Sequence, residues 1–517
     1  MPPNASLSWA DLHGDVLALV LDALPQQSRL AVVATCKGWR ALAARFETWR
    51  ELEFATRRDG SRRSELRRLF SLAVWAKHHA AATRSFTISA RLPPDCQPVA
   101  MKAVSQVVLA AAGTLQSLSL TTSRGHWPGT WLPCLTNLRR LHLASIEGGL
   151  SLHGNLLPLV RLTSLVLEAK QGFVDPRHAC TALRRPPPSL LHCELSCIRD
   201  NLPQPLSQLT TLRCLAVRQA LISEGLLLAE YDSLASLTGL TSLSLEYQGE
   251  EAWLPPSELL SLTKLRHLSI EGNDCSRWPL HGGDAEFESM LGCMPQLTSL
   301  NIAGCGMDTL PGALLTAEDR VAGGSSGGAV AVAAEGGQAL SGGPRLLRLL
   351  AHGNQLEAGE DELAQEGDQH GPALVFPRTV RQLSIDWQLL HPVQPQPSTG
   401  AEQQPPAIML PAHCRDLALL GREGVRPDFL SQLPLLLPEL RTVVVEPALD
   451  LLRTGDGSAG EWRRVGGYWR PTRLPGQPRQ RTPQPDVQQV LLDAGVRVVE
   501  LSRVTELSAL FDEHLVM

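Results

Sequence analysis

Few side chains in this chain stand where they could carry out a reaction. Gly324-Ser325-Ser326-Gly327-Gly328 spells G-x-S-x-G, the nucleophile elbow in which a strained strand-to-helix turn raises a serine toward an ester or amide carbonyl. This serine lies instead in a glycine, serine and alanine tract that supplies neither flanking element. Cys193 and Cys197 could offer two metal ligands, but no second pair follows to complete a tetrahedral site, and Cys193 falls at an apolar core position. No Walker loop and no H-E-x-x-H is spelled anywhere. The expectation is a chain that is not an enzyme and holds no metal and no cofactor. Charged residues that alternate with leucines point to recognition instead. Arg140, His142, Glu168, Glu194, Arg218, Glu246 and Glu271 stand between or just after leucines two apart, which are the outward positions of strands.

Composition narrows the setting. At 517 residues the chain exceeds one ordinary core, so it needs several domains or an array that grows along one axis. A formal net charge of -5 gives no pull toward nucleic acid or an anionic membrane, so neither is expected as a partner. The eleven cysteines are scattered singly, several at repeat positions read as apolar, such as Cys193, Cys214 and Cys414. Such usage fits reduced, buried thiols. The first residues lack a basic head and apolar core, and no apolar run reaches the roughly 20 residues of a membrane helix. The expected location is cytoplasm, nucleus or both.

The elements that must position the outward charges repeat. Leu240-Thr-Ser-Leu243-Ser-Leu245 and Leu265-Arg-His-Leu268-Ser-Ile270-Glu-Gly-Asn273 share the phrase L-x-x-L-x-L. Leu243 with Leu245, and Leu268 with Ile270, face one side of a strand; Ser244 and Ser269 face the other. Further phrases begin at Leu115, Leu138, Leu162, Leu190, Leu212 and Leu297, and weaker ones at Leu346, Val380, Cys414 and Leu440. The step from Leu115 to Leu138 is 23 residues and the next is 24. One unit cannot bury its own apolar edge, whereas stacked copies form a continuous core. Leu-Pro elements such as Leu132-Pro133 and Leu310-Pro311 recur between strands and favour an extended or 3₁₀ return path. This pattern resembles the leucine-rich repeat family, which implies an α/β solenoid of horseshoe form whose concave sheet binds a protein. Asn273, Cys305 and Asn354 occupy the family's turn-closing position after the third leucine.

The N-terminus follows another rule. Leu12, Val16, Leu17, Val20, Leu21 and Leu24 recur at three-and-four spacing as one apolar helix stripe, closed by Pro25. A second helix begins near Ser28 and runs into a third through Cys36-Lys37-Gly38-Trp39-Arg40, with Trp49 trailing. Three short helices in about fifty residues need a partner or the following domain for stability. This stretch resembles an F-box, with His13 in place of the usual proline, Thr35 in place of valine and Arg29 in place of an acidic residue. The resemblance implies a small three-helix domain docking a Skp-type adaptor, and through it a cullin, by way of Leu12, Val16, Leu17, Val20, Leu24, Leu30, Val33, Cys36 and Trp39. The alternative is a helical cap on the first repeat.

The expected organisation is an F-box-like domain over 1–56, a basic hinge and helix over 57–82, and the repeat array over 83–450. Low-complexity insertions interrupt the array at about 317–345, 357–372 and 391–407. An Arg/Trp/Pro-rich loop over 451–485 and a C-terminal cap over 486–517 follow. Together the two resemblances imply the substrate-recognition subunit of a Skp-cullin-F-box ubiquitin ligase, holding a protein substrate of unknown identity on the repeats. The other reading is a leucine-rich-repeat interaction scaffold outside any ligase.

Overall fold

The computed structural model describes residues 14–24, 26–35, 37, 39, 41, 49–57, 60–123, 125–127, 129–147, 150–152, 156–169, 186–196, 208–220, 232–247, 257–272, 285–307, 310–314, 344–352, 354, 374–386, 408–420, 433–445, 462–465, 468–471 and 493–500. The chain forms two compact units, Met1–Leu240 and Thr241–Met517.

The first unit opens with helices α1 (Gly14–Ala23) and α2 (Gln26–Thr35). Residues 37, 39 and 41 are also helical, while Leu12, Cys36 and most of the expected third helix lie outside the described residues. Strand β1 (Glu51–Ala55) follows, with Leu52 and Phe54 inward and their neighbours exposed. Helix α3 (Arg62–His79) leads to β2 (Ser85–Ala90), and α4 (Gln97–Ala110) leads to β3 (Ser117–Thr122). Next come β4 (Gly125–Trp127), β5 (Arg140–Ser145), β6 (Leu150–Leu152), β7 (Ser164–Ala169), β8 (His192–Ser196) and β9 (Cys214–Ala220). The order β1-β2-β3-β5-β7-β8-β9 forms a sheet in which every pairing is parallel; β4 and β6 pair separately.

The sheet starts earlier than the sequence suggests. The array is expected to begin at residue 83, yet β1 precedes it, paired with β2 in register from Glu51 opposite Ser85 to Ala55 opposite Ser89. The basic stretch read as a hinge is largely the first turns of α3, capped by the Ser61 hydroxyl, which accepts from the Ser64 N–H at 3.3 Å. Inside it the buried Glu65 carboxylate is satisfied by Arg68 at 2.6 Å and by the Arg57 N–H at 3.2 Å. Trp49, the trailing tryptophan, is 4% exposed and meets Trp75 of α3 edge to face, centroids 5.1 Å apart. A five-residue strand with two inward side chains is too short a signal to stand out until its partner lies beside it.

The second unit contains β10 (Ser242–Tyr247), β11 (His267–Gly272), β12 (Ser299–Asn301), β13 (Arg348–Leu350), β14 (Leu374–Val375), β15 (Gln382–Asp386), β16 (Ile408–Met409), β17 (Asp416–Leu420), β18 (Thr442–Val445), β19 (Trp462–Val465), β20 (Tyr468–Pro471) and β21 (Arg497–Glu500). Here the parallel order is β10-β11-β12-β13-β15-β17-β18-β21; β14 pairs β16, and β19 with β20 forms an antiparallel pair within the stretch read as a loop. The low-complexity insertions fall almost wholly outside the described residues.

In both units the leucine-bearing repeats stack as parallel strands. Leu115, Leu118 and Leu120, and likewise Leu265, Leu268 and Ile270, are at most 1% exposed, and corresponding residues pair rung to rung. Short 3₁₀ turns at Leu132–Cys134, Ser257–Ser261 and Gly312–Leu314 make return paths of the expected kind. The expected turn closure is present as well. Asn354 Nδ2 donates to the Ile302 and Ala351 carbonyls at 2.9 and 2.8 Å, and its Oδ1 accepts from the Met307 N–H at 3.1 Å. Cys305 Sγ donates to the Ile270 carbonyl at 3.0 Å, and Asn273 lies outside the described residues.

Candidate functional site

In the first unit, burial alternates along the strands, so a polar row remains open on the face away from the core. Register builds this row. His142 lies between Ser119 and Val166, Val166 faces Glu194, and Glu194 faces Ala216. One rung apart, His192 lies opposite Cys214, and Ser196 opposite Arg218.

The side chains engage across the strands. His142 Nδ1 lies 3.1 Å from Ser119 Oγ, and its Nε2 lies 3.5 Å from Glu168 Oε2. Glu194 is held from two sides, by Arg218 Nε at 2.9 Å and by His192 Nε2 at 3.9 Å, an ion-pair separation rather than a hydrogen bond. Cys214, its register partner on the neighbouring strand, and then the Glu194 carboxylate push the His192 ring up to about 9. The His192 ring, together with Arg218, holds the Glu194 carboxyl below the usual range. Arg140 is exposed at the start of β5, in the same row as Ser117 and Ser164.

An acidic face is therefore not what the first unit presents. Glu168 and Glu194 do not stand alone, since each meets a side chain of a neighbouring strand, His142 and Arg218 respectively. Opposite charges at adjacent rungs stabilise the sheet locally and leave a mosaic of donors and acceptors. Sequence reading missed His192 and Cys214. Cys214 was read as a core residue, yet it occupies the x before Leu215, and register turns it outward beside His192. Cys193 is the core residue, fully buried, and burial pushes its thiol up to about 12.

In the second unit, Glu246 and Glu271 face each other in register, as their repeat positions imply. Glu246 is half-buried and engaged, and the side chain of Glu271 lies outside the description. Farther along, the face closes. Ser384, Ala418 and Val444, each between two core residues of its strand, are fully buried. Asp416-Leu-Ala-Leu-Leu420 and Thr442-Val-Val-Val445 replace alternation with a nearly continuous apolar run, the form of strand covered on both sides.

The N-terminal helices offer a second surface. On α1, Leu17 and Leu21 are inward at 7% and 0% exposure, whereas Val16 and Leu19 stand out at 45% and 70%. Val20, Leu24 and Trp39 are half-buried, and the side chains of Leu30 and Val33 lie outside the description. Among the described residues no group of three His, Cys, Asp or Glu side chains could hold a metal ion, and no helix is long and apolar enough to cross a membrane.

No protein-family model matches the chain, and no curated protein sequence matches it. Among solved structures it is similar to an internalin from Listeria monocytogenes, at 15% identity over 64% of this chain and 89% of that one, with a TM-score of 0.36.

Proposed function

We propose that this chain is the substrate-recognition subunit of a Skp-cullin-F-box type ubiquitin ligase, its N-terminal helices docking a Skp-type adaptor and its repeats holding a protein substrate. The coarser part of this reading, a leucine-rich-repeat protein whose sheets bind other proteins, rests on the stacked parallel strands and on the polar mosaic of the first unit. The observation that carries the finer part is the outward apolar pair Val16 and Leu19, on a helix whose inward stripe is already satisfied by Leu17 and Leu21. Exposed apolar side chains on a short helix at the end of a solenoid suit a protein partner. The chain itself would catalyse nothing; it would raise the local concentration of substrate lysines near a charged ubiquitin. Cytoplasm and nucleus are the compartments that go with this role.

Tagged full-length chain, purified from its native cells, is expected to bring down a Skp-type adaptor and a cullin. A Val16→Asp, Leu19→Asp variant, which places carboxylates on the outward side only, is expected to lose both while its repeats stay folded. Absence of adaptor from the parent pull-down overturns the ligase reading.

A specific contact favours a second reading, in which the helices cap the array. Gln26 at the start of α2 bonds twice to the backbone of Glu53 in β1, the end strand of the first unit's sheet. Capping and docking use different sides of the helices, so an interaction scaffold remains if the adaptor test fails.

A further inference from the structure

Just before each strand, one turn residue repeats from rung to rung, and its N–H donates to the carbonyl of its counterpart one rung back. Thr298 bonds in this way to Arg266, and Leu347 to Thr298, at 2.9 and 2.8 Å. The series ends in three successive arginines, Arg381, Arg415 and Arg441, and the next strand opens on Arg497, in register with Thr442; Arg415, Arg441 and Arg497 each donate an N–H to the carbonyl of the arginine before at 2.7 Å. Where threonine fills this position its hydroxyl serves the turn. Thr298 donates to the Arg266 carbonyl at 3.2 Å, and Thr163 of the first unit to the Arg139 carbonyl at 3.1 Å. Arg213, at this position in the first unit, also serves a turn, its Nη1 donating to the Gly239 carbonyl at 2.8 Å, and Arg415 lies 3.4 Å from Glu439. Arg381, Arg441 and Arg497 are exposed, and among the described residues no side-chain hydrogen bond or ion pair engages their guanidinium groups.

Neighbouring parallel strands lie about 4.8 Å apart, so the three turn arginines rise from a line about 10 Å long, which Arg497 on the next strand extends to about 14 Å. Like charges so placed repel, and the backbone ladder forms equally well with threonine or leucine in the position. The carboxylates described in the turns of these rungs are Glu439, shared by Arg415 at 3.4 Å and His413 at 2.8 Å, and Asp493, already engaged. The edge therefore keeps an excess of positive charge in a chain whose formal net charge is -5.

We propose that this arginine ladder docks an acidic polypeptide segment. Guanidinium groups pair carboxylates in forked geometry, and four to five residues of extended chain span about 14 Å. The negative overall charge opposes long-range attraction of a nucleic acid, whereas a short acidic segment of a protein meets the local field. The proposal goes beyond adaptor docking and does not require it.

The test uses full-length chain alone and a fluorescent peptide of alternating glutamate and serine, with binding followed by anisotropy across a salt series. Binding is expected at low salt and is expected to fade as salt rises. The triple variant Arg381→Gln, Arg441→Gln, Arg497→Gln is expected to bind about tenfold more weakly or worse. Arg266→Gln, the same turn position outside the ladder, is expected to bind as the parent does. Thermal unfolding of each variant checks the fold, and single Arg441→Gln and Arg497→Gln variants carry the comparison if the triple unfolds. Unchanged affinity in these variants, no peptide binding at low salt, or tighter binding of a single-stranded oligonucleotide of equal charge would each overturn the proposal.

Discussion

Gln26 and Glu53, 27 residues apart, exchange two hydrogen bonds: the Glu53 N–H donates to Gln26 Oε1 at 2.6 Å, and Gln26 Nε2 donates to the Glu53 carbonyl at 2.7 Å. Glu53 is the middle residue of β1, which ends the sheet of the first unit. An end strand exposes unpaired N–H and C=O groups that can recruit another chain. The glutamine amide offers both a donor and an acceptor, so it stands in at this rung for a neighbouring strand. It also ties the helical segment to the array.

Gln26→Ala is expected to lower stability by about 1 kcal/mol, since these bonds are exposed and compete with water. Urea unfolding measures the cost, and light scattering at high concentration measures the tendency of the freed edge to associate. Equal midpoints and equal scattering would show that the clasp contributes nothing.

Leu17 and Val16 are adjacent but answer to different forces. Leu17→Asp buries a carboxylate at a position 7% exposed and is expected to cost about 3 kcal/mol or more, unfolding the helices first. Val16→Asp, at 45% exposure, is expected to shift stability by less than about 0.5 kcal/mol while removing adaptor binding. Circular dichroism melts beside the pull-down separate the two effects.

His192 gives the fold a pH dependence with a definite sign. Its folded pKa, about 9, lies above the ordinary histidine value of 6.5, so folding favours the protonated ring. The stabilisation is complete below about 6.5 and is lost as pH rises through about 9. His352 works in the opposite direction. Burial lowers its ring to about 4, so folding favours the neutral form and stability falls as pH drops from 6.5 toward 4. Replacing His192 by Gln should flatten the alkaline side of a stability profile, and His352→Gln the acid side. A profile whose alkaline limb is the same in parent and His192→Gln removes the imidazolium from the site.

Thiol accessibility separates the cysteines. Cys193, Cys305 and Cys414 are buried, and Cys193 and Cys414 are pushed up to about 12. Iodoacetamide is expected to leave these three unmodified in the folded chain while alkylating exposed Cys134 and, beside His192, Cys214. Peptide mass spectrometry reads the pattern, and rapid labelling of Cys193 would contradict its core position.

Asn354→Ala is expected to be among the more damaging single changes, costing about 2–4 kcal/mol. It strands the Ile302 and Ala351 carbonyls and the Met307 N–H, which the one side chain serves at 2.9, 2.8 and 3.1 Å. Thermal unfolding against Asn354→Asp, which keeps the acceptor, apportions the loss between the two halves of the amide.

Sequence by itself determined the repeat. Leucines at L-x-x-L-x-L spacing can only share a face if the chain is extended there, and one such face has no stable state except against its copies, so Leu243, Leu245, Leu268 and Ile270 declared strand, inward face and stacking at once. It also determined which residues would face outward in the first unit, because the period of a strand is two. What those residues do to one another was decided only by tertiary structure. Glu194 meets Arg218, 24 positions later, and Glu168 meets His142, 26 positions earlier, because parallel register sets them on adjacent rungs. The same register set Cys214 beside His192, and the ladder aligned Arg381, Arg415 and Arg441 along one edge, with Arg497 on the next strand. Local propensity fixes the direction of a side chain, but the sign of the charge standing next to it depends on which strands pair, and chain folding brings distant residues to within about 4.8 Å of each other there.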